Sequence, residues 1–219
     1  MFNEKGECEM RGVLIKICGI TNINDALIAV DYGVDALGFI FAKSPRQITP
    51  QNAKKIIEKL PPFVGKIGVF VNESPSYIQK IFKECGLTGI QLHGEEIPEL
   101  CRELHPLTVI KAVRIKDEND IKILNAYTSV SAFLLDSYVS NKKGGTGKKF
   151  DWKLAVLAKN YGKPIILSGG LTPDNVTEAI KIVNPYAVDV CSGVEAKPGK
   201  KDKLKIKKFI ERVRKYDAG

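Results

Sequence analysis

The 219 residues suffice for one large domain or two small ones, and the apolar fraction of 44% is ordinary for a globular protein. No stretch is long and apolar enough for a transmembrane helix, and the N-terminus is too polar for a signal peptide, so we expect a cytoplasmic protein without membrane contact. Much of the net charge of +9 falls in Lys197–Lys215, where lysines alternate with apolar residues at helical spacing. We interpret this run as the solvated face of a final helix and expect no nucleic-acid partner.

Short apolar runs and amphipathic segments alternate along the chain after a polar N-terminal extension, residues 1–12, which we expect to be a disordered tail. The predicted strands are Val13–Cys18, Ala36–Phe41, Lys66–Val71, Gly89–Leu92, Thr108–Val113, Ala132–Asp136, Pro164–Leu167 and Ala187–Cys191. The predicted helices are Asn22–Asp31, Pro50–Leu60, one that starts near Ser74-Pro75, Glu95–Leu104, Asp117–Ala126, Trp152–Lys159, Pro173–Val183 and the lysine-rich last helix.

Strands that alternate with helices predict a parallel sheet with right-handed crossovers. Eight such units, with no break in composition between them, favour an α/β fold with a single domain at residues 13–219, a closed (β/α)8 TIM barrel. An open doubly wound sheet is the main alternative. Its usual GxGxxG turn after the first strand is absent, because that turn reads Cys18-Gly19-Ile20-Thr21.

Several reactive side chains fall at the carboxyl ends of predicted strands, where barrels keep their active sites. Cys18 ends the first strand, Arg46 follows the second, His93 follows the fourth and Asp136 ends the sixth. The planar guanidinium of Arg46 suits a carboxylate, although a solvated arginine is an equal alternative. We interpret His93 as a supporting rather than a catalytic residue.

Two of these residues have the chemistry of an acid–base pair. Cys18 can act as a base only as a thiolate, which a positive charge such as Lys16 on the same face of the strand would favour. Asp189 falls beside Lys16 once the barrel closes, and we expect the two to pair. Apolar neighbours at Phe133–Leu135 would raise the pKa of Asp136, as a general acid requires. The alternatives are a small buried hydrophobe for Cys18 and a turn or capping residue for Asp136.

Glycines are concentrated in the loops after strands six, seven and eight, at Lys143–Gly147, Ser168–Gly170 and Cys191–Gly193. Such loops bring bare backbone N–H groups close to one point, and the helices that follow add positive N-terminal ends. One such loop is more simply a tight turn. Three consecutive loops predict a phosphate-ester site, a common feature after strands seven and eight of barrels.

The five cysteines are scattered, without a CxxC pair, and the chain has only two histidines. We therefore expect neither a disulfide framework nor a metal site.

Specific motifs run from Val13 to the C-terminus in the order KICGIT, SPRQI, GVFVNE, IQLHGEE, LLDS, GGTGKKFDW, LSGGL and SGVEAKPGKKD. Together they resemble the phosphoribosylanthranilate isomerase family. The resemblance implies a barrel enzyme of tryptophan biosynthesis, a monomer or homodimer, that needs no cofactor. Its reaction would be the Amadori rearrangement of a small phosphoribosyl substrate, N-(5-phosphoribosyl)anthranilate, to 1-(o-carboxyphenylamino)-1-deoxyribulose 5-phosphate.

The resemblance also implies roles for individual residues. Asp136, the general acid, would protonate the ribose ring oxygen and open the sugar to a Schiff base. Cys18, the general base, would then remove the C2 proton, and the enolamine would tautomerise to the ketone. Arg46 would bind the anthranilate carboxylate, and Cys191 replaces a residue that is often serine, a change we expect to be tolerated. The expected phosphate ligands are Gly145, Thr146, Gly147, Gly169, Gly170, Ser192 and Gly193, and the expected accessory residues are Lys16, Gln91, His93 and Asp189.

Rival barrel enzymes fit the sequence less well. A metal-dependent pentose-phosphate epimerase needs paired histidines at strand ends, and only His93 is so placed. An indole-glycerol-phosphate synthase needs a set of catalytic lysines and glutamates at strand ends. A dual-substrate isomerase that also processes a histidine-pathway intermediate would usually pair two aspartates.

Overall fold

The structure, a computed structural model, describes residues 12–137 and 152–217. Eight parallel strands close into a barrel in the order of the sequence, which confirms the predicted (β/α)8 fold. The strands are β1 (Leu14–Cys18), β2 (Ala36–Ile40), β3 (Gly65–Phe70), β4 (Gly89–Leu92), β5 (Val109–Ile115), β6 (Ala132–Ser137), β7 (Ile165–Leu167) and β8 (Ala187–Val190).

The helices alternate with these strands. They are α1 (Ile23–Asp31), α2 (Pro50–Ile57), α3 (Pro75–Cys85), α4 (Pro98–Glu103), α5 (Glu118–Lys122), α6 (Trp152–Ala158), α7 (Val176–Val183) and α8 (Lys203–Asp217). The predicted start of α3 is confirmed, because the Ser74 side chain accepts a hydrogen bond from the Tyr77 amide and Pro75 follows as the first helical residue. Among the described residues, no helix has the length and apolar character to cross a membrane.

Four predicted helices are shorter than expected by three residues or more, and of these the second ends at Ile57 and the fourth begins at Pro98. The seventh begins at Val176 rather than Pro173, because the Asn175 side chain accepts a hydrogen bond from the Thr172 amide and closes a turn there. The fifth ends at Lys122, after which Ile123–Ala126 tighten into a 3₁₀ turn. None of these differences moves a strand end.

Alternation along the strands separates two apolar layers. Ile15 and Ile17 of β1 are fully buried in the large core that joins the barrel to the helices. Leu14, on the opposite face, packs with a smaller cluster contributed by several strands. Above Leu14 on the same face come Lys16 and Cys18, so the barrel interior becomes polar toward the carboxyl ends of the strands.

A short antiparallel hairpin precedes α8 and was not predicted. It consists of β9 (Glu195–Lys197) and β10 (Lys200–Lys201). The Thr21 hydroxyl donates to the Gly199 carbonyl at 2.5 Å, and the Lys201 amide donates to the Asp25 carboxylate at 2.8 Å. These contacts fix the hairpin against the turn that follows β1.

Candidate active site

A cavity of about 610 Å³ opens at the carboxyl ends of the strands, a size typical of small-molecule sites. The predicted site residues that line it are Cys18, Gln91, His93, Asp136, Gly169, Gly170, Asp189 and Ser192. Three others, Lys16, Arg46 and Gly193, adjoin this lining. The predicted phosphate ligands Gly145, Thr146 and Gly147 lie outside the described residues. The structure thus brings the described candidates to one face of the barrel.

Cys18 occupies its position because β2 carries a glycine opposite it. The two strands pair Cys18 with Gly38, and a Cβ atom on Gly38 would lie 2.8 Å from the Cys18 sulfur. That separation is shorter than any ordinary carbon–sulfur contact. A glycine is therefore required at this position for the thiol to point into the cavity, where Cys18 is 6% exposed.

Lys16 and Asp189 form a buried ion pair one layer below Cys18, as predicted from barrel closure. The Lys16 ammonium lies 2.8 Å from Asp189 Oδ1, and the Ser168 hydroxyl donates to Asp189 Oδ2 at 3.3 Å. Burial would lower the pKa of Lys16, but the Asp189 carboxylate outweighs it and holds the pKa above its ordinary value. Lys16 is therefore a cation fixed beneath the thiol.

The Cys18 thiol is acidic in this environment. A hydrogen bond from Cys191 and the charge of Lys16 lower the pKa of Cys18 to about 6, against the opposing effect of burial. Hydrogen bonding to Cys18, together with burial, raises the pKa of Cys191. At neutral pH one sulfur of the pair is thus ionised and the other keeps its proton.

Asp136, for which the sequence predicts partly apolar surroundings, lies at the rim of the cavity. Its side chain is 28% exposed, because β6 ends here and the apolar residues before it point into the two cores. Asp136 Oδ2 lies 3.3 Å from His93 Nε2, and His93 Nδ1 lies 2.8 Å from Gln91 Nε2. Because the Gln91 amide nitrogen can only donate, His93 accepts at Nδ1 and presents an N–H to Asp136.

The segment that carries His93 is held by a second buried ion pair. Lys111 Nζ lies 2.7 Å from Glu96 Oε2, and the Glu96 side chain also accepts hydrogen bonds from the Asn72 and Gly94 amides. Burial would raise the pKa of Glu96, but the hydrogen bond from Lys111 and those from the backbone hold it below its usual range. Glu96 therefore helps to fix the segment that carries His93.

Arg46 is already engaged with a protein carboxylate. Its Nε and Nη2 atoms donate to the two oxygens of Glu195 at 2.8 and 2.7 Å, and Lys201 Nζ lies 3.1 Å from the same carboxylate. The side of the guanidinium formed by Nε and Nη2 is thus occupied by Glu195. Of the three guanidinium nitrogens of Arg46, Nη1 makes no hydrogen bond within the described part of the chain.

The loops after β7 and β8 approach each other closely. Gly169 and Gly170 have φ angles of 81° and 67°, a conformation that favours glycine. A Cβ atom on Gly193 would overlap the Leu171 carbonyl oxygen of the neighbouring loop. Ser192 begins a 3₁₀ turn that faces the cavity. The backbone N–H groups of these loops can therefore come close to an anion, and this geometry requires glycine at positions 169, 170 and 193.

Three residues near the site were missed from sequence. Arg114 lines the cavity and pairs with Asp136 in the register of β5 and β6. The predicted fifth strand ended at Val113, so its last inward-facing polar residue was overlooked. Glu195 and Lys201 lie in the motif SGVEAKPGKKD, whose acidic and basic residues were the available signal.

Comparison with known proteins identifies the family. The family described as N-(5'-phosphoribosyl)anthranilate (PRA) isomerase matches residues 15–212. An isomerase of that name from Pelobacter propionicus is 52% identical over 199 residues, which are 90% of this chain and 94% of that protein. One from Moorella thermoacetica is 51% identical over 205 residues, which are 94% of this chain and 91% of that protein.

Solved structures agree with this result. The phosphoribosyl anthranilate isomerase from Thermotoga maritima superposes with a TM-score of 0.87 at 48% identity, over 93% of this chain and 99% of that one. A structure of such an isomerase in complex with reduced 1-(o-carboxyphenylamino)-1-deoxyribulose 5-phosphate has a TM-score of 0.84 at 45% identity, with the same coverage.

The closed barrel, with its polar cavity at the carboxyl ends of the strands, has the architecture of a (β/α)8-barrel enzyme. The chain belongs to the N-(5'-phosphoribosyl)anthranilate isomerase family, whose members are isomerases of tryptophan biosynthesis.

Proposed function

We propose that the chain converts N-(5-phosphoribosyl)anthranilate into 1-(o-carboxyphenylamino)-1-deoxyribulose 5-phosphate by general acid–base catalysis. The observation that carries the proposal is that an acidic thiol, Cys18, and a carboxyl group, Asp136, line one cavity beside two glycine-bearing loops. An aldose–ketose rearrangement needs one group that gives a proton and another that takes one. Family membership supplies the substrate.

Asp136 acts first in this scheme. In its protonated form it gives its proton to the ribose ring oxygen, the ring opens and a Schiff base forms between C1 and the anthranilate nitrogen. The His93 N–H is 3.3 Å from Asp136 Oδ2 and stabilises the carboxylate that is left after transfer. Gln91, which hydrogen-bonds the other ring nitrogen, fixes the orientation of the imidazole.

Cys18 acts second. Its thiolate removes the proton from C2 of the Schiff base, and the resulting enolamine takes a proton at C1 and releases the proton of its C2 hydroxyl to give the ketone. A thiol with its pKa near 6 is mostly ionised at neutral pH and is still basic enough to accept a carbon-bound proton made acidic by the adjacent iminium. Lys16, below the sulfur, contributes to this acidity.

The substrate is anionic at both ends. Gly169, Gly170, Ser192 and Gly193 would bind the phosphate through backbone N–H groups, together with the predicted ligands outside the described residues. Arg46 would meet the anthranilate carboxylate through Nη1, since Glu195 holds the other side of the guanidinium in place. A cytoplasmic location stays a prediction, as does the choice between monomer and homodimer; a Thermotoga maritima relative is described as dimeric.

The test of the proposed function is an assay of the purified chain on freshly generated phosphoribosylanthranilate, followed by the loss of its anthranilate fluorescence. We expect rapid loss and a product whose mass is unchanged from that of the substrate, as an isomerisation requires. A chain that leaves the substrate intact under these conditions is not this isomerase, and other sugar phosphates would then be tested.

The glycine opposite Cys18 provides a sharp test of geometry. Gly38→Ala would push the Cys18 sulfur from its position, and we expect kcat/KM to fall by about 100-fold or more, as a displacement of about 1 Å at a reacting group can cause. Gly89→Ala is the control, because its Cβ would lie 3.0 Å from the movable Ile67 Cδ1 at the far end of the barrel. Equal activity of the two variants would contradict the placement of the thiol.

A further inference from the structure

We propose that Cys191 is a positioning residue of the isomerase site: its thiol donates a hydrogen bond to the Cys18 sulfur and holds the base in its ionised form. The inference rests on the proposed function, in which Cys18 takes the substrate proton. Cys191 also lines the cavity, and the sequence alone suggested no role for it beyond a tolerated replacement.

The strand register brings the two sulfurs together. β1 and β8 pair Lys16 with Asp189 and Ile17 with Val190, so Cys18 at the end of β1 and Cys191, the first residue after β8, lie at neighbouring positions of the barrel rim. Their side chains lie on the inward face, and both residues line the same cavity. The contact therefore follows from barrel closure.

The direction of the hydrogen bond follows from what surrounds Cys191. Lys201 Nζ lies 3.9 Å from Cys191 Sγ and 3.0 Å from the Cys191 carbonyl oxygen, and its side chain is 1% exposed. An ammonium can only donate, so it engages a lone pair of the Cys191 sulfur. The S–H of Cys191 is then available to Cys18, whose sulfur is the acceptor when ionised.

Charged groups approach Cys18 from several elements, and their effects on it partly cancel. Lys16 from β1 favours the thiolate, whereas its partner Asp189 from β8 opposes it. Lys201 from β10 favours the thiolate, but Glu195 lies 3.1 Å from Lys201 and shields its charge. Arg46 also interacts electrostatically with Cys18, and it is paired with the same glutamate. Because Lys16, Lys201 and Arg46 are each paired with a carboxylate, we expect a neutral donor beside the thiol to have the larger effect.

The test measures the ionisation of Cys18 without turnover. Iodoacetamide alkylates thiolates, and the tryptic peptide of residues 17–43 contains Cys18 as its single cysteine, so mass spectrometry reports this site alone. The alkylation rate is measured against pH for wild type, Cys191→Ser, which keeps a hydrogen-bond donor, and Cys191→Ala, which removes it. Cys101→Ala is the control, since Cys101 lies on the buried face of α4 and outside the cavity lining.

We expect half-maximal alkylation near pH 6 for wild type, Cys191→Ser and Cys101→Ala. For Cys191→Ala we expect the midpoint to rise by about one pH unit, which lowers the rate at pH 6 by about fivefold. The acid side of the kcat/KM profile should move by the same amount. A midpoint that stays near pH 6 in Cys191→Ala would overturn the proposal, because a residue that only fills space would leave it unchanged.

Two further comparisons complete the test. Cys191→Thr and Cys191→Val have nearly the same shape and differ in the donor, so they repeat the comparison if Cys191→Ala does not fold; equal midpoints in this pair would also overturn the proposal. Failure of the proposed function is separately visible. If Cys18→Ser keeps full activity, Cys18 is not the base, whereas the alkylation midpoints still report whether Cys191 controls its ionisation.

Discussion

Cys18→Ser and Asp136→Asn are each expected to lower kcat for phosphoribosylanthranilate by about 10²–10⁴-fold, the usual contribution of a general acid or base. A serine hydroxyl does not ionise near neutral pH, so it cannot replace a thiol whose pKa is about 6. An asparagine amide can still accept a hydrogen bond from His93 but has no proton to give to the ring oxygen. Stopped-flow fluorescence with saturating substrate measures kcat directly.

The control for these variants is Cys101→Ser, which changes a fully buried thiol away from the cavity and should retain most of the activity if it folds. The two site variants should keep the wild-type Tm within a few degrees, since both side chains line an open cavity. Near-wild-type activity of Cys18→Ser would remove Cys18 as the base and leave the reaction itself unaffected. The same result for Asp136→Asn would remove Asp136 as the acid.

The largest effect on stability is expected from Glu96→Gln. The substitution turns an amide toward the buried Lys111 ammonium and removes its counter-charge, and breaking a buried ion pair in this way typically costs about 3–5 kcal/mol of unfolding free energy. For a domain of this size that corresponds to a fall in Tm of about 6–20 °C. Urea unfolding followed by circular dichroism measures the free energy.

Glu95→Gln is the matched control, because it removes the same charge from an exposed neighbour and should change the unfolding free energy by less than about 0.5 kcal/mol. The double variant Glu96→Gln, Lys111→Met removes both charges and should recover part of the loss. If Glu96→Gln is as stable as Glu95→Gln, the ion pair is not what holds the segment around His93.

Alternation of apolar runs and amphipathic segments was enough to predict eight strands and their order, because each strand must bury both faces and each helix one. It also placed Cys18 and Asp136 correctly at strand ends, and the pairing of Lys16 with Asp189 followed from barrel closure. What it could not predict was the last residues of β5. A charged residue ends an apolar pattern, although Arg114 continues the strand into the cavity.

Other features depend on contacts between distant segments. The pairing of Arg46 with Glu195 requires a hairpin whose sequence, rich in lysine, proline and glycine, has no strand pattern of its own. The exposure of Asp136 depends on how far β6 extends above the apolar layers.

In the proposed reaction Cys18 is the base and is ionised at neutral pH because of its surroundings. The most direct measurement is the pH dependence of Cys18 alkylation in the free enzyme beside that of kcat/KM. Both rates are expected to rise through about pH 6 and to level off together. A thiol that ionises only near its ordinary value of about 8.5, in an enzyme whose kcat/KM has already levelled off at pH 7, would contradict this role of Cys18.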